Sequence, residues 1–151
     1  MKIVDCTENF ILENIERFSY LYGENFKVHH PLKTNYGSEF FTEQMKKKAS
    51  YIKENMGRVY AAVEGDTVLG FVHVYMKQFL DEKRITISDI IVDSESRGKR
   101  IGTSLFHKAE EYAKAEKCDA IEVLAINTEN AVGFYHSVGF SDFRINMVKK
   151  I

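Results

Sequence analysis

The sequence predicts a mixed α/β fold, in which strands pair locally at first and then alternate with helices, giving a sheet with both faces at least partly covered. Three observations carry this. Apolar residues recur at helical spacing in two N-terminal stretches, β-rich runs joined by tight turns begin at Arg58, and the remainder alternates helix, strand, helix, strand. No repeat, low-complexity tract or Gly/Ser linker interrupts the order. With 151 residues, 44% of them hydrophobic, the chain matches one compact domain whose core is large enough to fold unaided.

The first element is a short strand around Lys2 to Asp5. One amphipathic helix follows, striped by Ile11, Ile15, Phe18 and Tyr22, with Thr7 able to cap its first turn and Glu8 facing its positive dipole end. The stretch "ENFKVHHPLKTNYGS" holds the only proline, Pro31, shows no clear periodicity, and reads as a loop long enough to be functional. A second helix turns Phe41, Met45, Ala49 and Ile52 inward and the run Lys46, Lys47, Lys48 mostly outward, as a solvated face. In "RVYAAVEGDTVLGFVHVYM" two β-rich runs hinge at Glu64, Gly65 and Asp66, a hairpin signal, and "RITISDIIV" follows a polar turn around Asp81 to Lys83. Leu105, Phe106, Ala109, Tyr112 and Ala113 mark a further helix. The strand "AIEVLAI", the short helix "ENAVGFYHSVG" and the strand "FSDFRINMVKK" complete the order.

Composition excludes several function classes. Lys plus Arg (21) and Asp plus Glu (22) nearly cancel, so no global field draws the protein to nucleic acid or to an anionic membrane, and any anion site must be local. No apolar stretch approaches the ~18 residues of a membrane span, and the start MKIVDCTEN lacks a signal peptide's apolar core, so a soluble cytoplasmic protein is expected. Cys6 and Cys118 lie far apart with no CxxC partner, which suits two reduced thiols rather than a disulfide or a zinc site. His29, His30, His73, His107 and His136 form no metal-ligand spacing, so no metal is expected. A homodimer is compatible with the sequence, which carries no signal for oligomeric state.

The stretch that asks for chemistry is "DSESRGKRIG", residues 93–102. A strand, a basic glycine-containing loop and a helix beginning near Gly102 gather free backbone N–H groups and a positive dipole end at one spot, where a phosphate can bind. Arg97, Lys99 and Arg100 add charge, although a basic loop before a helix can also simply be solvated. Neither GxxxxGK[ST] nor a strand-linked GxGxxG is present.

"VDSESRGKRIG" resembles the acyl-CoA signature of the GNAT superfamily of N-acetyltransferases, with Arg97 at its first position and Gly102 at its last; Arg100 departs from the internal glycine. "NAVGFYHSVGF", residues 130–140, resembles the family's second signature, in which an aromatic pair, here Phe134 and Tyr135, precedes a Gly-Phe, here Gly139 and Phe140. The resemblance implies a mostly antiparallel central sheet with helices on both faces, splayed at an acyl-CoA site. It also implies acetyl-CoA as donor and an amine as acceptor. The pyrophosphate would sit on the amides of Gly98, Lys99, Arg100, Ile101, Gly102 and Thr103, braced by Arg97. Pantetheine would run along Ile90, Ile91 and Val92 like an added strand. Asn127 and Asn130 bracket the place of a family asparagine, and Phe134 borders the donor.

Acetyl transfer from a thioester to an amine needs a neutral amine and a proton for the leaving thiolate. In "ITISDIIV" the alternation Ile85, Ile87, Asp89, Ile91 sets a carboxylate on an otherwise apolar face, where it is either paired or functional. The resemblance puts Asp89 in the strand that often supplies the base. Tyr135 can give a thiolate its proton, or can be plain core on the stripe Ala131, Phe134, Tyr135, Val138. By the same resemblance, His29, Tyr36 and Phe79 fall in segments that cover the acceptor. The reading is an acetyl-CoA-dependent N-acetyltransferase acting by direct transfer. Its rival is a non-catalytic acyl-CoA-binding sensor on the same scaffold.

Overall fold

The computed structural model describes residues 1–29 and 35–151. Its elements run β1 (Lys2–Asp5), α1 (Glu8–Glu13), α2 (Ile15–His29), α3 (Ser38–Lys53), β2 (Gly57–Glu64), β3 (Thr67–Phe79), β4 (Glu82–Val92), α4 (Ile101–Ala115), β5 (Ala120–Val123) and α5 (Glu129–Ser137), with a 3-10 turn at Ser94–Ser96. The five strands lie in sequence order in one sheet, antiparallel throughout except for the parallel pair β4 and β5. The expected hairpin forms, with Gly65 in the left-handed conformation at its turn.

Two apolar layers sandwich the sheet. On one face Ile11, Phe18, Leu21, Met45 and Ala49 of α1, α2 and α3 pack on Val59, Ala61 and Phe71. On the other, Ile101, Leu105, Phe106, Ala109 and Ala113 of α4 pack on Val72, Val74, Ile85 and Ile87, with Phe134, Val138 and Phe140 at the edge. Burying such side chains is worth about 1.5–3 kcal/mol each, which fixes the faces of the strands.

The helical boundaries differ from expectation in two places. The first helix is two helices: Thr7 caps α1 through its hydroxyl, but Asn14 breaks the run, and its carbonyl accepts from the amides of Arg17 and Phe18 to begin α2. α2 then continues to His29 through the first part of the expected loop, because Tyr22, edge-on, and Phe26, tilted, pack against Phe41 of α3, a tertiary reason that local periodicity does not contain. Residues 30–34 of that expected loop lie outside the described residues.

The C-terminal part departs further. β5 ends at Val123, with Leu124 already exposed, and "FSDFRINMVKK" forms no strand. Its alternating Phe143, Ile145 and Met147 are exposed, and Phe143 and Arg144 meet Arg84 and Phe79 through cation–π contacts instead of a ladder. Alternation gives β propensity but not a partner strand. At this end of the sheet β4 and β5 are tied by Glu122, which accepts from Lys77, Thr86 and Arg84. Burial would raise its carboxyl, but those bonds hold it down at about 2.

Candidate active site

The register of β3 against β4 slips once, between His73 and Val74: Val74 faces Ile87 and His73 faces Asp89, leaving Ser88 as the extra residue of a bulge. The slip reverses the expected alternation. Ile85 and Ile87 point to the α4 layer, whereas Ile91, two residues beyond Asp89, belongs to the opposite layer. Asp89 thus faces α3, not the apolar face inferred from "ITISDIIV".

There Lys48 of α3 donates to Asp89 Oδ2 at 2.9 Å and lies 3.3 Å from His73 Nδ1 and 3.4 Å from Ser88 Oγ. The three side chains are 12%, 14% and 4% exposed for Lys48, Asp89 and His73, so the charges are matched inside the fold. Ser88 also donates to Oδ2, which leaves Oδ1 of Asp89 without a hydrogen-bond partner among the described residues. An ammonium only donates, so Nδ1 of His73 accepts and the ring proton sits on Nε2, which is buried and unpartnered. Burial, then the Lys48 charge, against the opposing pull of Asp89, pushes the imidazole down to about 4. The Tyr22 ring lies 5.3 Å from the Lys48 ammonium. Burial, then the Asp89 charge, pushes its phenol up to about 12.

Beyond the bulge β4 loses its neighbour. Pairing with β5 covers only Arg84 to Ile87, so Ile90, Ile91 and Val92 bond to β3 on one side and present their other edge to no strand among the described residues. This is the splay the sequence resemblance implies. The chain then enters the 3-10 turn, capped by the Asp93 carboxylate. Arg17 of α2 pairs with Asp93 and, through Nε, donates to the Val68 carbonyl at 2.8 Å. The Arg17 pairing holds the Asp93 carboxyl below its ordinary range.

Gly98 has φ +80°, a conformation open to glycine, and Arg100 takes the left-handed form directly before α4. No side chain caps α4, so the amides of Ile101, Gly102 and Thr103 point out of the helix end free of intrahelical partners. Arg97, Lys99 and Arg100 are exposed and enter no ion pair among the described residues. Phe134 of α5 stands over Gly102, where a Cβ would meet its ring at 3.4 Å.

Tyr135 packs edge-on against Phe134 at 5.2 Å and Phe140 at 5.5 Å, and Phe140 reaches Phe106 of α4. Its hydroxyl has no hydrogen-bond partner among the described residues. Burial, then the nearby Asp89 charge, pushes its phenol up to about 12, so it is protonated at neutral pH. Asn127 and Asn130 are exposed beside Thr128, the residue that caps α5.

Residues 20–140 match the model of the acetyltransferase (GNAT) family. The chain belongs to this family. It is 37% identical over 71 residues to an uncharacterized N-acetyltransferase of Methanocaldococcus jannaschii, a match covering 43% of this chain and 31% of that relative. The chain thus aligns with about a third of the length of the curated relative it matches. Its fold is similar to that of a Bacillus halodurans protein solved as a mutant (TM-score 0.76, 22% identity, 100% of this chain and 99% of that one). It is also similar to a protein classed as an acetyltransferase from Clostridium acetobutylicum and solved with acetyl-CoA (TM-score 0.76, 14% identity, 99% and 95% covered).

For this GNAT chain the remaining expected positions divide. Phe79 is not beside Asp89: it sits six residues along β3 from His73, ~20 Å at strand rise, stacked 4.1 Å under Arg84 at the hairpin end. Tyr36 stacks on Phe40 at 4.1 Å in the α2–α3 aromatic cluster. His29 ends α2, and its side chain lies outside the described residues. Lys48 and His73 are the residues that sequence reasoning missed. Lys48 sits three after Met45 and one before Ala49, on the edge of the buried stripe, and that spacing was the available signal. Among the described residues no group of three His, Cys, Asp or Glu could hold a metal ion. No helix among them is long and apolar enough to cross a membrane. Both cysteines are free; burial, then Asp5, pushes the Cys6 thiol up to about 12.

Proposed function

We propose that the chain is a single-domain, cytoplasmic N-acetyltransferase that moves an acetyl group from acetyl-CoA to a primary amine of a small molecule or peptide, directly within a ternary complex. The observation that carries the reading is the meeting at the β4 splay of an unpaired strand edge and an uncapped, cationic helix start; Asp89 on β4 and the buried phenol of Tyr135 are the groups this reading assigns to the proton transfers. The residues fit an acyl-CoA donor: amides of residues 98–103 with Arg97, Lys99 and Arg100 suit a pyrophosphate, and the free edge at Ile90 to Val92 suits a ligand bearing amide groups. Phe134, Asn127 and Asn130 complete that side.

In this reading the C–N bond forms as the C–S bond breaks. The ammonium gives one proton to the free Oδ1 of Asp89, directly or through water, before the neutral amine attacks. Tyr135 O–H gives its proton to the departing sulfur, and the second N–H proton leaves the new amide nitrogen to restore the Tyr135 phenol, directly or through water. Asp89 releases its proton to solvent. Lys48 and Ser88 hold the other carboxylate oxygen and so orient Asp89. Neither cysteine stands among these groups, which favours direct transfer over an acyl-enzyme.

The test is a thiol-release screen with acetyl-CoA over amino acids, peptides, polyamines and aminoglycosides. Amine-dependent release with an intersecting initial-velocity pattern is expected. Tight acetyl-CoA binding with no release for any amine would favour the sensor instead.

A further inference from the structure

The segment that follows β4 carries its charges in an order that works against an anion. Asp93 and Glu95 come first, and Arg97, Lys99 and Arg100 only afterwards. Glu95 is exposed, but the Asp93 side chain is only 14% exposed, so solvent screens its charge poorly. Asp93 also stands close to the amides of α4. Its chain neighbour Val92 reaches to 3.8 Å from the position a Cβ on Gly102 would take, which puts the carboxylate on the order of 10 Å from the helix start. At that range an unmatched, poorly screened acid repels a pyrophosphate.

The charge that answers it comes from the other face of the sheet. Arg17 of α2 pairs with Asp93 Oδ2 and donates through Nε to the Val68 carbonyl at 2.8 Å, so its guanidinium is fixed at two points. The other carboxylate oxygen, Oδ1, accepts from the Glu95 amide at 3.3 Å. The backbone of the turn is held without the guanidinium: Asp93 N–H donates to the Leu69 carbonyl at 2.8 Å, and Ser96 N–H to the Asp93 carbonyl at 2.9 Å. What Arg17 adds is therefore the charge match.

Resting on the donor-site reading above, we propose that Arg17 is a positioning residue for coenzyme A. By cancelling and orienting the Asp93 carboxylate it keeps residues 97–103 receptive to phosphate, without touching the phosphate itself.

A double-mutant cycle on the full chain, read as calorimetric affinity for coenzyme A at low salt, tests this. Arg17→Met leaves the acid unmatched and should weaken binding about tenfold, a loss that shrinks in high salt. Asp93→Asn removes the charge but keeps the Oδ1 acceptor, and should bind at least as tightly as wild type. In the Asp93→Asn background, Arg17→Met should cost no more than about twofold. The same tenfold loss with and without the Asp93 charge would overturn the proposal, because Arg17 would then act on the phosphates directly. So would unchanged affinity in folded Arg17→Met with only a lowered Tm, the behaviour of a purely structural ion pair. If Arg17→Met alone does not fold, Asp93→Asn and the double variant decide: affinities near wild type in both support the proposal, and tenfold weaker binding in either overturns it. Arg97→Glu controls for the donor site. Weaker binding there with no effect of Arg17→Met counts against Arg17 alone; unchanged affinity in Arg97→Glu removes the donor loop and this role of Arg17 with it.

Discussion

Lys48 does three things with one ammonium: it matches the Asp89 carboxylate, leaves Oδ1 as the free oxygen, and forces the His73 proton onto Nε2. A charge trio this buried carries a pH signature. An unfolded chain protonates His73 near its ordinary 6.5, whereas in the fold burial, then Lys48, keeps it neutral down to about 4. Between those values the unfolded state binds the additional proton, so this residue costs stability as pH falls from 6.5 to about 4. Above 6.5 the contribution is flat. Thermal melts of wild type and His73→Gln at pH 7 and pH 5 check this: the wild-type Tm should drop more between the two. An identical drop in both proteins would show that His73 is not the titrating group.

The segment from Asp93 to Thr103 acts as a unit. Asp93 anchors its start through Arg17, Gly98 turns it, and the uncapped α4 presents its amides beside three cations that enter no ion pair among the described residues. Arg97→Glu replaces attraction by repulsion and should weaken acetyl-CoA binding at least ~10-fold, an effect that shrinks in high salt. Gly102→Val should weaken binding by pressing on Phe134 and Val92, equally in low and high salt. Calorimetry at two ionic strengths separates them; unchanged affinity in folded Arg97→Glu would move the phosphates elsewhere.

Elements of this kind were legible in the sequence because their signals are local: the basic glycine loop, the aromatic pair Phe134 and Tyr135, and the turn at Gly65 each lie within a few residues. The Asp89 surroundings were not. They depend on a one-residue bulge at Ser88 that reverses which face Asp89 takes, and on partners brought from α3 and β3 by packing alone. The "FRINMV" tail shows the converse, a local β signal with no ladder to join.

At the scale of the molecule, the sheet separates two chemistries and the splay rejoins them. The α1–α3 face brings Asp89, Lys48 and His73; the α4–α5 face brings the basic loop before α4, Phe134 and Tyr135. The pairing of β5 with β4 stops at Ile87, which leaves the rest of β4 open between the two faces. The account therefore makes Tyr135 the point where donor and acceptor halves meet. The most direct measurement pairs turnover with donor affinity in Tyr135→Phe, which keeps the ring on Phe134 and Phe140 but removes its only transferable proton. The account predicts that turnover of the best amine falls ~10- to 1,000-fold while acetyl-CoA affinity changes little. Wild-type turnover in a folded Tyr135→Phe protein would contradict it, leaving the phenol a packing residue of α5.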